Sequence, residues 1–124
     1  MNYKHLLLLG GIVLSIDVIY IYLIHGLFNE MISKIQGKSI KTNKISFALV
    51  YLVLIFQLYY FIINKNASYL DAFLLGMTTY GIFDLTNFTI FDNYSLNVSI
   101  IDVLWGGILY ASSTYIFRLL ERKL

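Results

Sequence analysis

From Leu6 to Ile24 the chain carries one charged residue, Asp17, in a run otherwise dominated by Leu, Ile and Val. Three more runs of similar length follow, at about Ile45–Ile63, Tyr69–Phe91 and Asn97–Phe117. A transmembrane helix needs roughly 20 mostly apolar residues. The chain is 59% hydrophobic and 13% charged. A soluble domain normally carries about twice that share of charge, and one this small could not hide so much apolar surface from water. The expected fold is therefore all-α, an integral membrane four-helix bundle forming a single transmembrane domain over residues 1–124. The first run follows Lys4 and His5, as a signal peptide would. It is too long for a signal-peptide core and no small-residue cleavage site follows, so it reads as a retained span.

The joints between the runs are short and polar. Leu27–Lys44 holds four lysines, and within it Phe28, Met31, Ile32 and Ile35 recur at helical spacing, predicting a short interfacial helix. Asn64–Ser68 and Asp92–Leu96 read as turns. Four crossings put both termini and the Asn64–Ser68 turn on one face, with Lys4, Lys65, Arg118, Arg122 and Lys123. Lys34, Lys38, Lys41 and Lys44 lie on the other. This near balance, tipped by the terminal amine, favours cytoplasmic termini under the positive-inside rule.

Several function classes are excluded early. Without cysteine there is no disulfide, thiolate metal site or thiol redox motif. His5 and His25 lack zinc-site spacing, and a net charge of +2 does not point to nucleic acid. The sequons at Asn66, Asn87, Asn93 and Asn97 are what an Asn-rich composition yields by chance.

The informative residues are three aspartates inside the spans: Asp17, Asp84 and Asp102. An Asp at a helix centre costs about 2.5 to 3.5 kcal/mol on insertion scales. The first span offsets this with its aliphatic residues. The third, which also holds Thr78, Thr79, Thr86, Asn87 and Thr89, needs shielding by its neighbours. At about 1.5 Å per residue, Asp17 lies about 17 Å from the terminal face, and Asp84 and Asp102 about 22 Å from it. Helical spacing sets Tyr80, Asp84 and Asn87 on one stripe. It sets Ser99, Asp102, Trp105 and Gly106 on another, and Gly10, Asp17 and Tyr20 on a third. Asp17-Val18-Ile19-Tyr20 is echoed by Asp102-Val103-Leu104-Trp105.

Carboxyls gathered in lipid must share protons, bind a cation or meet water. The ligand- or ion-binding candidates are Asp17, Asp84, Asn87 and Asp102, with Tyr80, Thr86, Trp105 and Gly106 in support. A hard cation such as Mg²⁺ or Ca²⁺ would accept Asp84, Asp102 and the Asn87 carbonyl as ligands. No other cofactor is indicated. Trp105, Tyr20 and Tyr80 taken singly read as packing residues. Three function classes stay open. One is a module that binds or moves protons or a cation. Another is a membrane-embedded lipid-modifying enzyme using an Asp as base or metal ligand. The third is an interaction or scaffold protein that docks a partner span. The bilayer is the expected partner, with homo-oligomers left open. The first class is favoured because no nucleophile motif is present.

Phe83-Asp84-Leu85-Thr86-Asn87, followed by Asp102-Val103-Leu104-Trp105-Gly106 and preceded by Asp17, resembles a bacterial family of small membrane proteins, domain of unknown function family 2177. Its members have four predicted helices, a Tyr-Asp-Leu-Thr-Asn motif and an Asp-x-x-Trp-Gly motif. The resemblance runs from about Asp17 to Phe117 and implies the membrane class. It marks Asp17, Asp84, Thr86, Asn87, Asp102, Trp105 and Gly106 as shared positions, and brings no reaction. Phe83 stands where the family usually has Tyr, and Tyr20 where it usually has Trp. The Asn64–Ser68 turn lacks the family's usual proline.

Overall fold

Each helix starts where an Asn or Ser side chain can accept from free backbone N–H groups. In the computed structural model, which describes residues 2–123, Asn2 caps α1 (Tyr3–Gln36) by accepting from the His5 N–H at 3.2 Å. Asn43 caps α2 (Lys44–Leu58), Ser68 caps α3 (Tyr69–Ile90) and Ser95 caps α4 (Leu96–Glu121). α1 ends at Gly37, whose φ of 76° is a left-handed conformation open to glycine. α2 runs on into a π-helical turn, Tyr59–Ile63, before the chain reverses.

The separate interfacial helix expected around Phe28–Ile35 does not form; α1 continues unbroken through that stretch. No proline interrupts it, and Gly26 costs only about 1 kcal/mol in a helix interior. Phe28, Ile32 and Ile35 stay in phase with Met31 and pack with it on Tyr94 and Val98, at the turn between α3 and α4. At 34 residues α1 is about 51 Å long, well beyond a hydrocarbon core of about 30 Å.

α1, α2 with its π-helical turn, and α4 are each long and apolar enough to cross a bilayer. α3 has the length, about 33 Å, but its threonines, Asn87 and Asp84 make it more polar. It is bound most closely to α4. A Cβ added to Gly76 would run into the Gly106 carbonyl, and one added to Gly106 would meet the Tyr80 ring. Two glycines thus let the backbones touch, as helix pairs in lipid commonly do. α1 packs across α4, and α2 packs on α1 through Tyr51, Leu54 and Leu58. The core between them is Leu9, Val13, Leu109, Tyr110 and Phe117.

The helix ends are tied together. The Asn2 N–H donates to the Tyr59 hydroxyl at 3.4 Å, His5 packs edge-on against Phe117, and Arg118 donates to the Ala67 carbonyl at 2.6 Å. The start of α1, the end of α2, the start of α3 and the end of α4 therefore meet at one end of the bundle. Leu7, Leu23, Ile45 and Ile82 are all more than 70% exposed on the outside, whereas Asp17 and Asp84 are buried. Apolar outside and acidic inside is the arrangement that lipid selects.

Candidate functional site

Asp17 and Tyr20 lie one turn apart on α1, and Asp102 and Trp105 one turn apart on α4. The two helices exchange these partners. Trp105 Nε1 donates to Asp17 Oδ1 at 2.9 Å, and the Tyr20 hydroxyl donates to Asp102 Oδ1 at 2.8 Å. The two rings that reach across stack on each other, 4.6 Å apart and 3° from parallel. The Asp-x-x-aromatic echo in the sequence thus becomes a reciprocal clasp between antiparallel helices. The other oxygen of Asp17 accepts a hydrogen bond from the Tyr51 hydroxyl of α2. Both Asp17 oxygens are therefore partnered, and three helices meet on one side chain.

Asp84 on α3 is fully buried. Its Oδ1 accepts from the Tyr94 hydroxyl at 2.9 Å. Its Oδ2 is buried and has no donor. The Asp102 carboxyl is its acidic neighbour. Two carboxyls facing each other have no donor between them unless a proton or cation is supplied. Tyr94, in the turn outside the helices, packs beside Asn87 as well as Asp84. Burial pushes its phenol above the ordinary range; Asn87 opposes the shift and Asp84 adds to it. Tyr94 thus stays a neutral donor at the end of the acidic group.

The remaining candidates divide. Tyr80 packs against Gly106 and meets Tyr110 edge-on, with ring centroids 6.4 Å apart. Thr86 is exposed and lines an open outer groove with Leu85, Thr89 and Val103, on the far side of α3 from the carboxyls. Helical geometry requires this, because two residues from Asp84 is more than half a turn round the helix. The Tyr20–Trp105 stack joins Asp17 to Asp102. Among the described residues, no three His, Cys, Asp or Glu side chains are grouped to hold a metal.

Tyr51 and Tyr94, which donate to two of the three aspartates, did not emerge from the sequence. Nor did a second polar node, in which Gln57 of α2 donates to Thr79 Oγ1 at 2.9 Å and accepts from the Tyr110 hydroxyl. Gln57 is the one strongly polar interior residue of its span, and that signal marks the node. Tyr51 and Tyr94 carry no such mark in a chain with 11 tyrosines.

No curated protein and no solved structure matches the chain. The family model described as "Predicted membrane protein (DUF2177)" matches residues 3–118, and with nearly its whole length covered the chain belongs to that family.

Proposed function

We propose that Asp84 and Asp102 form an intramembrane acidic site that takes up and releases one proton. The observation that carries this is the second Asp84 oxygen, buried, without a donor and beside another carboxyl. Leaving a buried carboxylate oxygen unsatisfied costs about 1 to 3 kcal/mol. A single shared proton supplies the missing donor and removes one charge. A hard divalent cation fits less well, because it seeks 6 to 8 oxygen ligands and two carboxylates with a phenol supply few of them. Asp17 has the opposite character: both of its oxygens are satisfied, so it fastens α1, α2 and α4 and fixes the clasp.

In this reading α3 crosses the bilayer with the other helices, shielded by α4, and both termini lie on one side. The joined helix ends support this arrangement.

Trp105 is the only tryptophan and stacks on the residue that holds Asp102. Its emission in proteoliposomes, followed against pH, is therefore a local reporter. One protonation step is expected in the unaltered chain. It should be absent from Asp84→Asn and Asp102→Asn, and retained with altered emission in Asp17→Asn. Identical pH profiles in the unaltered chain and the first two variants would remove the proton site.

A further inference from the structure

A second polar feature lies at the terminal end of the bundle. His5 is twelve residues before Asp17, about 18 Å along α1 from the carboxyls. A cavity of about 440 Å³ opens there between the start of α1, the α2–α3 turn and the end of α4. Three of its lining residues are basic or can become so: His5, Arg118 and Arg122. Asn64 and Asn66 of the turn add amide donors, and Glu121 is the one acidic wall residue.

Two of these walls, Arg118 and His5, are held in place. Arg118 is anchored by its bond to the Ala67 carbonyl, and its guanidinium sits over the Tyr69 ring, 5.0 Å from the centroid. A guanidinium has five N–H donors in a fixed fork, so this anchor leaves others for a ligand. His5 is held edge-on by Phe117, 5.5 Å between ring centroids. Among the described residues the one ion pair is Lys34–Glu30, at the other end of the molecule. Lys4, Lys65 and Lys123 surround the pocket in sequence.

We propose that this pocket binds a phosphate group, delivered either by an anionic lipid headgroup at the membrane surface or as free phosphate. Arginine forks match phosphate oxygens bidentately, and amide and imidazole N–H groups can complete the set. The pocket lies at an end of the bundle where helices long and apolar enough to cross a bilayer terminate, a position that a lipid phosphodiester could reach.

The test is titration of the purified full-length chain, in a neutral detergent, with short-chain phosphatidylglycerol, short-chain phosphatidylcholine or inorganic phosphate. The thermal unfolding midpoint is the readout. Phosphatidylglycerol should raise the midpoint saturably and phosphatidylcholine should not. Arg122→Gln should weaken the apparent affinity about tenfold, the loss of one charge-assisted hydrogen bond. Arg118→Lys keeps the charge and loses the fork, and should weaken it too. Lys38→Gln, on the opposite face, should leave it unchanged. Saturation by inorganic phosphate, with the same dependence on Arg122, supports the site and identifies the soluble ion as its ligand. Absence of saturable binding by either phosphate source overturns the proposal. So does equal binding by the Arg122→Gln and Arg118→Lys variants, or equal binding of phosphatidylcholine.

Discussion

Replacing Asp84 with Asn puts the acidic pair to a quantitative test. The amide is close to the carboxyl in size, its oxygen can still accept from the Tyr94 hydroxyl, and its NH₂ can donate to Asp102. The buried oxygen that lacks a donor is exchanged for a group that brings one. When the pair is ionised, the native chain bears an unsatisfied buried oxygen, a cost of about 1 to 3 kcal/mol. The Asn variant should be more stable by about that amount under those conditions. When the pair holds a proton, the native chain already has its bridging donor, and the difference should fall to within about 0.5 kcal/mol. The advantage of Asp84→Asn should therefore grow with rising pH and vanish on acidification. Reversible unfolding in mixed micelles of neutral detergent and dodecyl sulfate, read by Trp105 emission at several pH values, measures it. A variant that is less stable by more than about 1 kcal/mol at every pH, or equally stable at every pH, would refute the argument.

Two other outcomes follow from the packing. Gly76→Ala should destabilise the bundle by about 1 to 3 kcal/mol or more, since the added Cβ would meet the Gly106 carbonyl. Gly11→Ala, with nothing within 4 Å, should be neutral or stabilising by up to about 1 kcal/mol in the same unfolding assay. Reporter fusions at the two termini should report the same side of the membrane, and opposite readings would mean that α3 does not cross.

The membrane class was legible because hydropathy acts at the scale of whole helices, and four apolar runs with short polar joints admit few folds. Helix ends were legible to within a few residues where polar joints coincide with caps, as at Ser68 and Ser95. The extension of α1 to Gln36 was not, because composition marked Leu27–Lys44 as polar while the phase of Phe28, Met31, Ile32 and Ile35 decided the helix. At the candidate site, depth and spacing pointed to aspartates at similar depth, each on a helix face with small or hydrogen-bonding residues. They could not reveal the donors, because a hydrogen bond such as Tyr51 to Asp17 depends on how one helix is rotated against another. The outward placement of Thr86 lay within reach of spacing, since Thr86 and Asp84 cannot share a face. A contiguous motif such as Asp-Leu-Thr-Asn hides that division.

The clasp explains why an acidic pair can sit where it does. A carboxyl in lipid moves to whatever donor it can reach, and a mobile Asp102 would have no fixed relation to Asp84. Tyr20 holds one Asp102 oxygen, Trp105 holds Tyr20 by stacking, and Asp17 holds Trp105 through its indole N–H. Asp17 is in turn secured by Tyr51 from a third helix. Asp17 has both oxygens satisfied, whereas Asp102 and Asp84 are each tied by a single phenol, and the second oxygen of Asp84 is also buried. Stability and chemistry are thereby separated along one chain of contacts. On the proposed reading, the fully bonded Asp17 contributes rigidity and the incomplete Asp84 is where the proton is taken up. The reasoning makes Tyr20 a positioning residue. Tyr20→Phe keeps the ring stack but frees Asp102, so it should broaden or shift the protonation step seen by Trp105 while leaving the bundle folded.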